Sequence, residues 1–286
     1  FEILQQQYKP TIALCMGEFG LASRVLARKF GALATFVALD PDAATAPGQP
    51  TLDEMKQRYR WDELRADTAV YGVIGYPVTQ SMGPAIHNAA FDAAGVNGVY
   101  LPLPIRPEYE QFKATVTSWL DAAALHFRGA SVTNPHKQNL LRYVQDRGGE
   151  IEPLAAQIGA ANTLTIRGNS DGSQLYAANT DYGAALDAVC DGLAIGRDGL
   201  ADRRVAVIGA GGAARAVVAG LVHHGATVVI YNRTIQNAEA LAERFNGGPG
   251  KVVPARLEKL CDSCCELYIN CTPVGMHPNV DETPVP

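Results

Sequence analysis

A glycine-rich turn at residues 205–216 constrains the fold of this chain more than any other feature. The segment reads VAVIGAGGAARA, and Gly209, Gly211 and Ala214 fit the pattern G-x-G-x-x-G/A directly after an apolar run typical of a strand. The first glycine permits a tight turn, the second lets the backbone approach a pyrophosphate, and the small third residue allows a helix to pack closely on the strand. Free N–H groups at the start of that helix attract phosphate. The turn therefore predicts a dinucleotide site at Gly209, Gly211, Gly212 and Ala213.

The end of the next predicted strand indicates which dinucleotide binds. An NAD site places an acidic residue about 20 residues after the glycine turn, where it binds the ribose hydroxyls. Here that region holds Asn232, Arg233 and Thr234 instead. A guanidinium pairs well with a phosphate, and the neighbouring polar side chains add hydrogen bonds. The sequence therefore predicts NADP as the cofactor; the alternative is that Arg233 is a solvated surface residue.

Alternating strand and helix patterns run through most of the chain. They begin at Val70, and a second such unit begins near Arg203. This alternation is typical of an α/β fold in which helices cover a parallel sheet. Upstream, residues 11–16 read as a buried strand, 21–30 as a helix and 52–64 as an amphipathic helix. A length of 286 residues favours about two domains.

Composition excludes several classes of protein. With 47% hydrophobic and 19% charged residues the chain can bury a core, and its net charge of −5 argues against a general nucleic-acid binder. No apolar stretch approaches the length of a membrane span. Six cysteines are too few and too irregularly spaced for a disulfide scaffold, so we expect a reducing, cytoplasmic location. The single C-x-x-C pair, Cys261 and Cys264, is a weak signal for zinc, and we expect no metal.

Short polar segments follow apolar strands at residues 131–137 (SVTNPHK), 162–163 (NT) and 179–181 (NTD). Ligands of α/β sheets bind at such strand ends, and a polyhydroxy substrate needs many donors and acceptors. Lys137 and Asp181 are the acid–base pair among these residues, and a nearby carboxylate would fix the ammonium group and tune its pKa. Spacing leaves the alternative open that Lys137 is solvated and that Asp181 caps the helix it begins.

Seven ordered motifs make the chain from about residue 69 onward resemble shikimate dehydrogenase. They are GYPVTQSMGPAIHN (75–88), SVTNPHK (131–137), GAANTL (159–164), NTDYG (179–183), GAGGAARA (209–216), YNRT (231–234) and NCTPVGM (270–276). The resemblance implies an α/β fold with a substrate-binding domain at 67–187 and a Rossmann NADP-binding domain at 188–286. It also implies a small-molecule substrate, 3-dehydroshikimate, which is reduced reversibly to shikimate in a cleft between the two domains.

The resemblance assigns roles to individual residues. Lys137 matches the family's catalytic lysine and Asp181 its partner, so the ammonium is the candidate acid and the carboxylate orients it. Ser81, Thr133 and Asn162 match substrate-binding positions. Further residues match the loop beside the nicotinamide, namely Asn270, Thr272, Pro273, Val274, Gly275 and Met276.

Two positions depart from the family's pattern where the substrate carboxylate binds. Gly83 replaces the second serine of a Ser-x-Ser pattern, and Gln80 replaces a histidine before the first. Losing a hydroxyl removes a charge-assisted hydrogen bond worth about 1.5–3 kcal/mol if it is buried. It also leaves space at the ring carbon where quinate carries an added hydroxyl. Gly83 therefore predicts relaxed specificity towards quinate, with a water-filled gap of little effect as the alternative.

Residues 1–66 resemble the end of the type I 3-dehydroquinate dehydratases through CMGEFGLASR (15–24) and TAPGQP (45–50). The resemblance implies a remnant of a (β/α)8 barrel in which Arg24 and Gln49 contact substrate and Thr45 stands where the family has serine. The family's Schiff-base lysine is absent from these residues, so we expect no dehydratase activity from them. The alternative is a chance match in an unrelated linker.

Together the two resemblances predict part of a bifunctional enzyme that is cut at both ends. The chain starts at Phe1 without Met, and the family's C-terminal segment with its substrate-binding glutamine does not follow residue 286. We therefore expect the chain by itself to be poorly active. The sequence does not set the oligomeric state.

Two other functions stay open. A non-catalytic module could bind pathway intermediates and regulate a partner, but retention of Lys137 and Asp181 with the cofactor loops favours an enzyme, because a sensor needs no acid–base pair. A different NADP dehydrogenase with a similar two-domain build would not respond to shikimate or quinate.

Overall fold

Residues 1–6 and 8–66 form short helices and turns. The computed structural model describes residues 1–6, 8–169, 172–276 and 280–285. Two α-helices, α1 (Glu2–Gln5) and α2 (Leu21–Val25), lie in this segment. Single turns of 3-10 or π-helix occur at Glu18–Gly20, Pro41–Ala43, Glu54–Arg58 and Trp61–Glu63.

Three predicted elements of this segment are wrong in type or length. Residues 11–16 form no strand, because no neighbouring strand within the described residues accepts their backbone hydrogen bonds. The helix predicted at 21–30 ends at Val25. The helix predicted at 52–64 divides into two short turns, since Arg60 between them adopts a left-handed conformation with φ of 54°.

A buried lysine fastens this segment to the residues that follow. Lys29 is 4% exposed, and its Nζ donates to the carbonyl oxygen of Ala66 (2.5 Å) and to Nδ1 of His126 (2.9 Å). Because an ammonium group only donates, Nδ1 of His126 is the acceptor and the ring is neutral. Burial lowers the pKa of Lys29. The pKa of His126 is also lowered, mainly by burial and to a lesser extent by the charge of Lys29.

The next strands form a six-stranded sheet. They are β1 (Ala69–Gly75), β2 (Gly98–Pro104), β3 (Phe127–Val132), β4 (Glu150–Ile151), β5 (Thr163–Asn169) and β6 (Gly172–Ala178), in the order β2-β1-β3-β5-β6-β4. β1 pairs in parallel with β2 and β3, as predicted, but β5 runs antiparallel to β3. The prediction of a parallel sheet is therefore wrong at this position. The next two strands, β5 and β6, are neighbours in the sheet and are separated by two residues in the sequence. Two residues are too few for the crossover connection that a parallel pair needs.

Three helices accompany this sheet, in keeping with the alternation of strands and helices that the sequence predicts. They are α3 (Gly83–Ala93), α4 (Tyr109–Asp121) and α5 (Lys137–Asp146). Pro84 lies in the first turn of α3, where its missing N–H costs no hydrogen bond. On the same helix the buried Asn88 side chain donates to the carbonyl of Tyr100 (2.8 Å) and accepts from its N–H (2.7 Å). This amide exchange fixes α3 against β2.

The rest of the chain builds a second α/β unit. Its sheet comprises β7 (Arg204–Ile208), β8 (Thr227–Asn232), β9 (Lys251–Arg256) and β10 (Leu267–Asn270), all parallel, in the order β10-β7-β8-β9. Its helices are α6 (Pro153–Ile158), α7 (Asp181–Leu193), α8 (Gly212–His223) and α9 (Ile235–Arg244). α8 is almost completely buried from Ala216 to Val222, where valine, leucine, alanine and glycine pack into the core with β7 and β8.

The chain divides into two compact units. One comprises residues 1–150 and 162–177, and the other comprises 151–161 and 178–286. The segment that carries α6 thus belongs to the second unit although the sequence around it belongs to the first. The three-part division at residues 66 and 187 stays a prediction.

Across the described residues, no helix is both long enough and apolar enough to cross a membrane. In the same part of the chain, no three histidine, cysteine, aspartate or glutamate side chains gather as a metal site would require. Cys261 and Cys264 are exposed free thiols.

His136, the residue before α5, is completely buried. Its Nε2 donates to the carbonyl oxygen of Ile105 (2.8 Å), and its Nδ1 accepts from Nδ2 of Asn139 (2.9 Å). Burial lowers the pKa of this ring below the ordinary 6.5. The folded protein therefore holds the neutral ring.

We expect the free energy of unfolding to fall as the pH is lowered through 6.5. The unfolded chain then binds a proton at His136 that the folded chain does not, and His126 and His224, whose pKa values burial also lowers, act in the same direction. Urea unfolding on either side of this pH measures the loss. His136→Gln supplies a neutral donor and acceptor and should lose less on acidification. An undiminished pH dependence in that variant would contradict the assignment.

Candidate active site

Polar residues gather at the carboxyl ends of β1 and β3 in the first unit. The N–H of Thr133 donates to the carbonyl of Ile74 (2.8 Å), and the N–H of Val132 donates to the carbonyl of Asn162 (2.6 Å). Because β5 runs antiparallel to β3, its first residues lie at the same sheet edge. The structure therefore brings Thr133 and Asn162 together, and Lys137 begins α5 four residues after Thr133.

The loop after β1 contains Ser81 and leaves from this same edge. The N–H of Tyr76 donates to the carbonyl of Asn134 (3.1 Å), so the loops after β1 and β3 lie side by side. Oγ of Ser81 accepts from the N–H of Gly83 (3.1 Å), and Nη2 of Arg58 donates to the carbonyl of Ser81 (3.0 Å). Sequence analysis missed Arg58, because it lies in the N-terminal segment and outside the quoted motifs.

Tyr100 borders the space that a side chain at position 83 would occupy. A Cβ added to Gly83 would lie 3.2 Å from Oγ of Ser81 and 3.2 Å from Cε1 of Tyr100. The ring of Tyr100 is buried and stacks on His87 with centroids 4.1 Å apart. Nδ1 of His87 lies 2.9 Å from the carbonyl oxygen of Gly83 and donates to it. A serine at 83 would therefore fit only after its neighbours shift slightly.

The glycine turn of the second unit has the shape that its sequence predicts. Gly209 has φ of 108°, and a Cβ there would lie 3.0 Å from Cγ2 of Thr272, so a side chain would be strained and crowded. A Cβ on Gly211 or Gly212 would meet nothing within 4 Å. Ala214 is completely buried. The start of α8 therefore faces open space in which backbone N–H groups can approach a phosphate.

The strand order places this turn at the topological switch point of the sheet. From β7 the chain continues to β8 and β9 on one side, while β10 joins on the other. The N–H of Gly209 donates to the carbonyl of Tyr231 (2.8 Å), and the N–H of Cys271 donates to that of Ile208 (2.9 Å). The loops after β7, β8 and β10 therefore meet at one edge, where open α/β sheets bind ligands.

The loop after β8 carries the predicted phosphate ligands. Nδ2 of Asn232 donates to the carbonyl of Thr234 (2.8 Å), which fixes the turn into α9. Arg233 and Thr234 are exposed, and residues 231–234 contain no acidic side chain. An exposed guanidinium without a neighbouring carboxylate in this turn fits the 2′-phosphate of NADP.

Asn270 organises the loop after β10. Its Oδ1 accepts from the N–H (2.9 Å) and the hydroxyl (2.7 Å) of Thr272, and its Nδ2 donates to the carbonyl of Val274 (2.9 Å). The N–H of Met276 donates to the carbonyl of Pro273 (3.1 Å), and the Met276 side chain is exposed. Burial raises the pKa of the adjacent Cys271 thiol to about 11, so this cysteine is not a reactive thiolate.

Asp181 is the first residue of α7 and belongs to the second unit, whereas Lys137 belongs to the first. The N–H of Asp181 donates to Oδ1 of Asn179 (2.9 Å). The pairing of Lys137 with Asp181 stays a prediction.

The N-terminal segment brings two of its three predicted residues together. Oε1 of Gln49 accepts from the N–H (2.9 Å) and the hydroxyl (3.1 Å) of Thr45. A Cβ on Gly48 would lie 2.7 Å from the carbonyl oxygen of Gly17, so the two motif-bearing loops touch. Arg24 is 2% exposed in α2, and its Nε has no hydrogen-bond partner within the described part of the chain.

Three protein-family models match the chain in succession. They are Type I 3-dehydroquinase over residues 2–66, the shikimate dehydrogenase substrate binding domain over 73–164, and Shikimate / quinate 5-dehydrogenase over 194–269.

The chain is also similar to whole proteins. It is 40% identical over 295 residues to the chloroplastic bifunctional 3-dehydroquinate dehydratase/shikimate dehydrogenase of Arabidopsis thaliana, a match that covers 100% of this chain and 46% of that relative. It is 42% identical over 209 residues to a shikimate dehydrogenase (NADP(+)) of Methanocella arvoryzae, covering 72% of this chain and 70% of that one.

A crystal structure of shikimate 5-dehydrogenase from Thermus thermophilus, in complex with NADP(H) and shikimate, matches at a TM-score of 0.60 and 32% identity. The match covers 76% of this chain and 73% of that one. This chain spans less than half the length of the bifunctional Arabidopsis relative. These matches show that the chain belongs to the shikimate dehydrogenase family, and that residues 2–66, which precede its dehydrogenase part, are similar to type I 3-dehydroquinase.

Proposed function

We propose that this chain reduces 3-dehydroshikimate reversibly to shikimate with NADPH, as part of a bifunctional dehydroquinate dehydratase/shikimate dehydrogenase of aromatic amino acid biosynthesis. The observation that carries the proposal is a pair of strand-edge sites, one in each unit. One edge offers the hydroxyl and amide side chains of Thr133 and Asn162 beside the start of α5. The other offers an open glycine turn with an exposed Arg233.

The proposed chemistry assigns one proton and one hydride to the ring carbonyl. Bound NADPH supplies the hydride to the carbonyl carbon. Lys137, as an ammonium group, donates a proton to the carbonyl oxygen, and the product is a secondary alcohol. Asp181 orients Lys137 and accepts a hydrogen bond from a substrate hydroxyl. Ser81, Thr133 and Asn162 hold the carboxylate and hydroxyl groups of the ring.

The loops of the second sheet support a binding mode for the cofactor. The start of α8, at Gly211 and Gly212, would hold the pyrophosphate, and Arg233 with Asn232 and Thr234 the 2′-phosphate. The loop after β10, with Thr272 to Met276, would lie beside the nicotinamide.

The proposal also includes domain boundaries at residues 67 and 188 and a cytoplasmic location. The Arabidopsis relative, by contrast, is chloroplastic.

Replacing Lys137 tests the reaction directly. In the complete polypeptide that contains this chain, 3-dehydroshikimate should oxidise NADPH, followed by loss of nicotinamide absorbance. Lys137→Ala should lower kcat by about 10²–10⁴-fold, because it removes the general acid. Lys113→Ala, at an exposed lysine of α4, is the matched control and should keep wild-type turnover. Tight ligand binding without turnover by the wild type would indicate a sensor instead.

Replacing Arg233 tests the choice of cofactor. Arg233→Ser removes a charge-assisted bond worth about 1.5–3 kcal/mol, so the KM for NADPH should rise about 10- to 100-fold. The KM for NADH, which lacks the 2′-phosphate, should change little. Arg204→Ser, at an exposed arginine on the opposite edge of the same sheet, is the control. Equal effects on both cofactors would argue against a 2′-phosphate contact.

Gly83 supports a second candidate activity, the oxidation of quinate. A serine hydroxyl is missing at this position, and Tyr100 and Ser81 line the space beside it. Quinate differs from shikimate partly by an added hydroxyl on the carbon that carries the carboxylate. A smaller residue at 83 would accommodate that group.

Gly83→Ser should shift the ratio of kcat/KM values from quinate towards shikimate by about 10- to 100-fold, the effect of one charge-assisted hydrogen bond. Steady-state kinetics with both substrates measures this ratio. Gly83→Ala adds the Cβ without the hydroxyl and separates crowding from hydrogen bonding. A wild-type preference for shikimate that Gly83→Ser leaves unchanged would refute the role of this position.

A further inference from the structure

Glu152, the residue before α6, accepts two hydrogen bonds from the turn that carries Asp181. Its Oε1 accepts from the hydroxyl of Tyr182 (2.5 Å), and its Oε2 accepts from the N–H of Asn179 (2.9 Å). These donors lie on either side of Asp181 in the sequence. One carboxylate therefore holds the turn at both ends.

Asn179 extends this contact to the backbone of Asp181. Asn179 is 2% exposed. Its Oδ1 accepts from the N–H of Asp181 (2.9 Å), and its Nδ2 donates to the carbonyl of Ala160 (3.0 Å). The orientation of the amide is thus fixed from two sides. Movement of Asn179 would displace the residue that begins α7.

The segment that carries Glu152 is itself anchored in the second unit. Leu154 and Ile158 are buried in its core. At the far end of α6, Nε of Arg244 donates to the carbonyl of Gln157 (2.6 Å), and Nη1 of Arg215 donates to the carbonyl of Ile158 (3.4 Å). Arginine side chains from α8 and α9 therefore hold residues 152–160, here called the α6 strap, in place.

We infer that Glu152 is a positioning residue that fixes Asp181 for proton transfer, acting through Asn179 and Tyr182. The inference rests on the proposed function, in which Asp181 orients the proton donor. Without the carboxylate, the N–H of the buried Asn179 loses its acceptor and the turn can shift. A displacement of about 1 Å at a reacting group can cost 10²-fold in rate, so a residue that contacts no substrate can control turnover.

The test compares Glu152→Ala, Glu152→Gln and the control Glu239→Gln, an exposed carboxylate on α9, in the complete polypeptide. Glu152→Ala should lower kcat about 10- to 100-fold with an unchanged KM for NADPH. Because the chemical step slows, the primary isotope effect on kcat with NADPH deuterated at the transferred position should increase. Glu152→Gln retains one acceptor oxygen and should lose less, and Glu239→Gln should match the wild type.

Tyr182→Phe keeps the test decisive if Glu152→Ala does not fold. It removes one hydroxyl and leaves the ring in place, so a lower kcat with a larger isotope effect and a near wild-type Tm supports the role. Wild-type turnover in Tyr182→Phe and in either Glu152 variant would overturn the positioning role of Glu152. A wild-type protein that does not reduce 3-dehydroshikimate overturns the proposed function and this role with it.

Discussion

Parallel pairing of β7 with both of its neighbours is the constraint on which the candidate cofactor site depends. The pairing aligns the carboxyl ends of β10, β7 and β8 at one edge, so three loops that are distant in the sequence converge. Hydrogen bonds at this edge, from Gly209 to Tyr231 and from Cys271 to Ile208, continue the pairing beyond the strands. A glycine is required at 209, because the backbone turns there at positive φ directly against Thr272.

The first unit reaches a similar convergence by a different route. Its parallel strands β1 and β3 end at one edge of the sheet. Because β5 runs antiparallel to β3, β5 begins at that edge, and Asn162, the residue before β5, lies there. Because the strands differ in direction, polar side chains from the end of one strand and from the start of another lie at the same edge of the sheet. This is how Thr133 and Asn162, which are distant in the sequence, come together.

Sequence analysis predicted the parts of the structure that local chemistry determines. The glycine turn, the buried strand before it and α8 follow from small residues whose roles are steric, and the structure has all three. Residues 11–16 could not be predicted in the same way. An apolar run becomes a strand only if a neighbouring strand pairs with it, and that information lies elsewhere in the chain. The return of β5 was missed for the same reason, since the pattern of apolar residues does not encode strand direction. Arg58 and Glu152 contact the candidate site through long-range hydrogen bonds that no motif records.

The α6 strap connects α8 with the turn of Asp181 in the second unit, and no sequence motif indicates this connection. Arg215 follows the glycine turn within α8 and holds one end of the strap, while Glu152 at the other end holds the turn of Asp181. The helix proposed to receive the pyrophosphate and the carboxylate assigned to orient the proton donor thus both contact one short segment, whose Leu154, Ala155 and Ile158 are buried. Packed segments of this kind deform little, because protein interiors are close-packed and transmit displacement rather than absorb it. Because both contacts lie within a single unit, the segment fixes the start of α8 and the turn of Asp181 relative to each other.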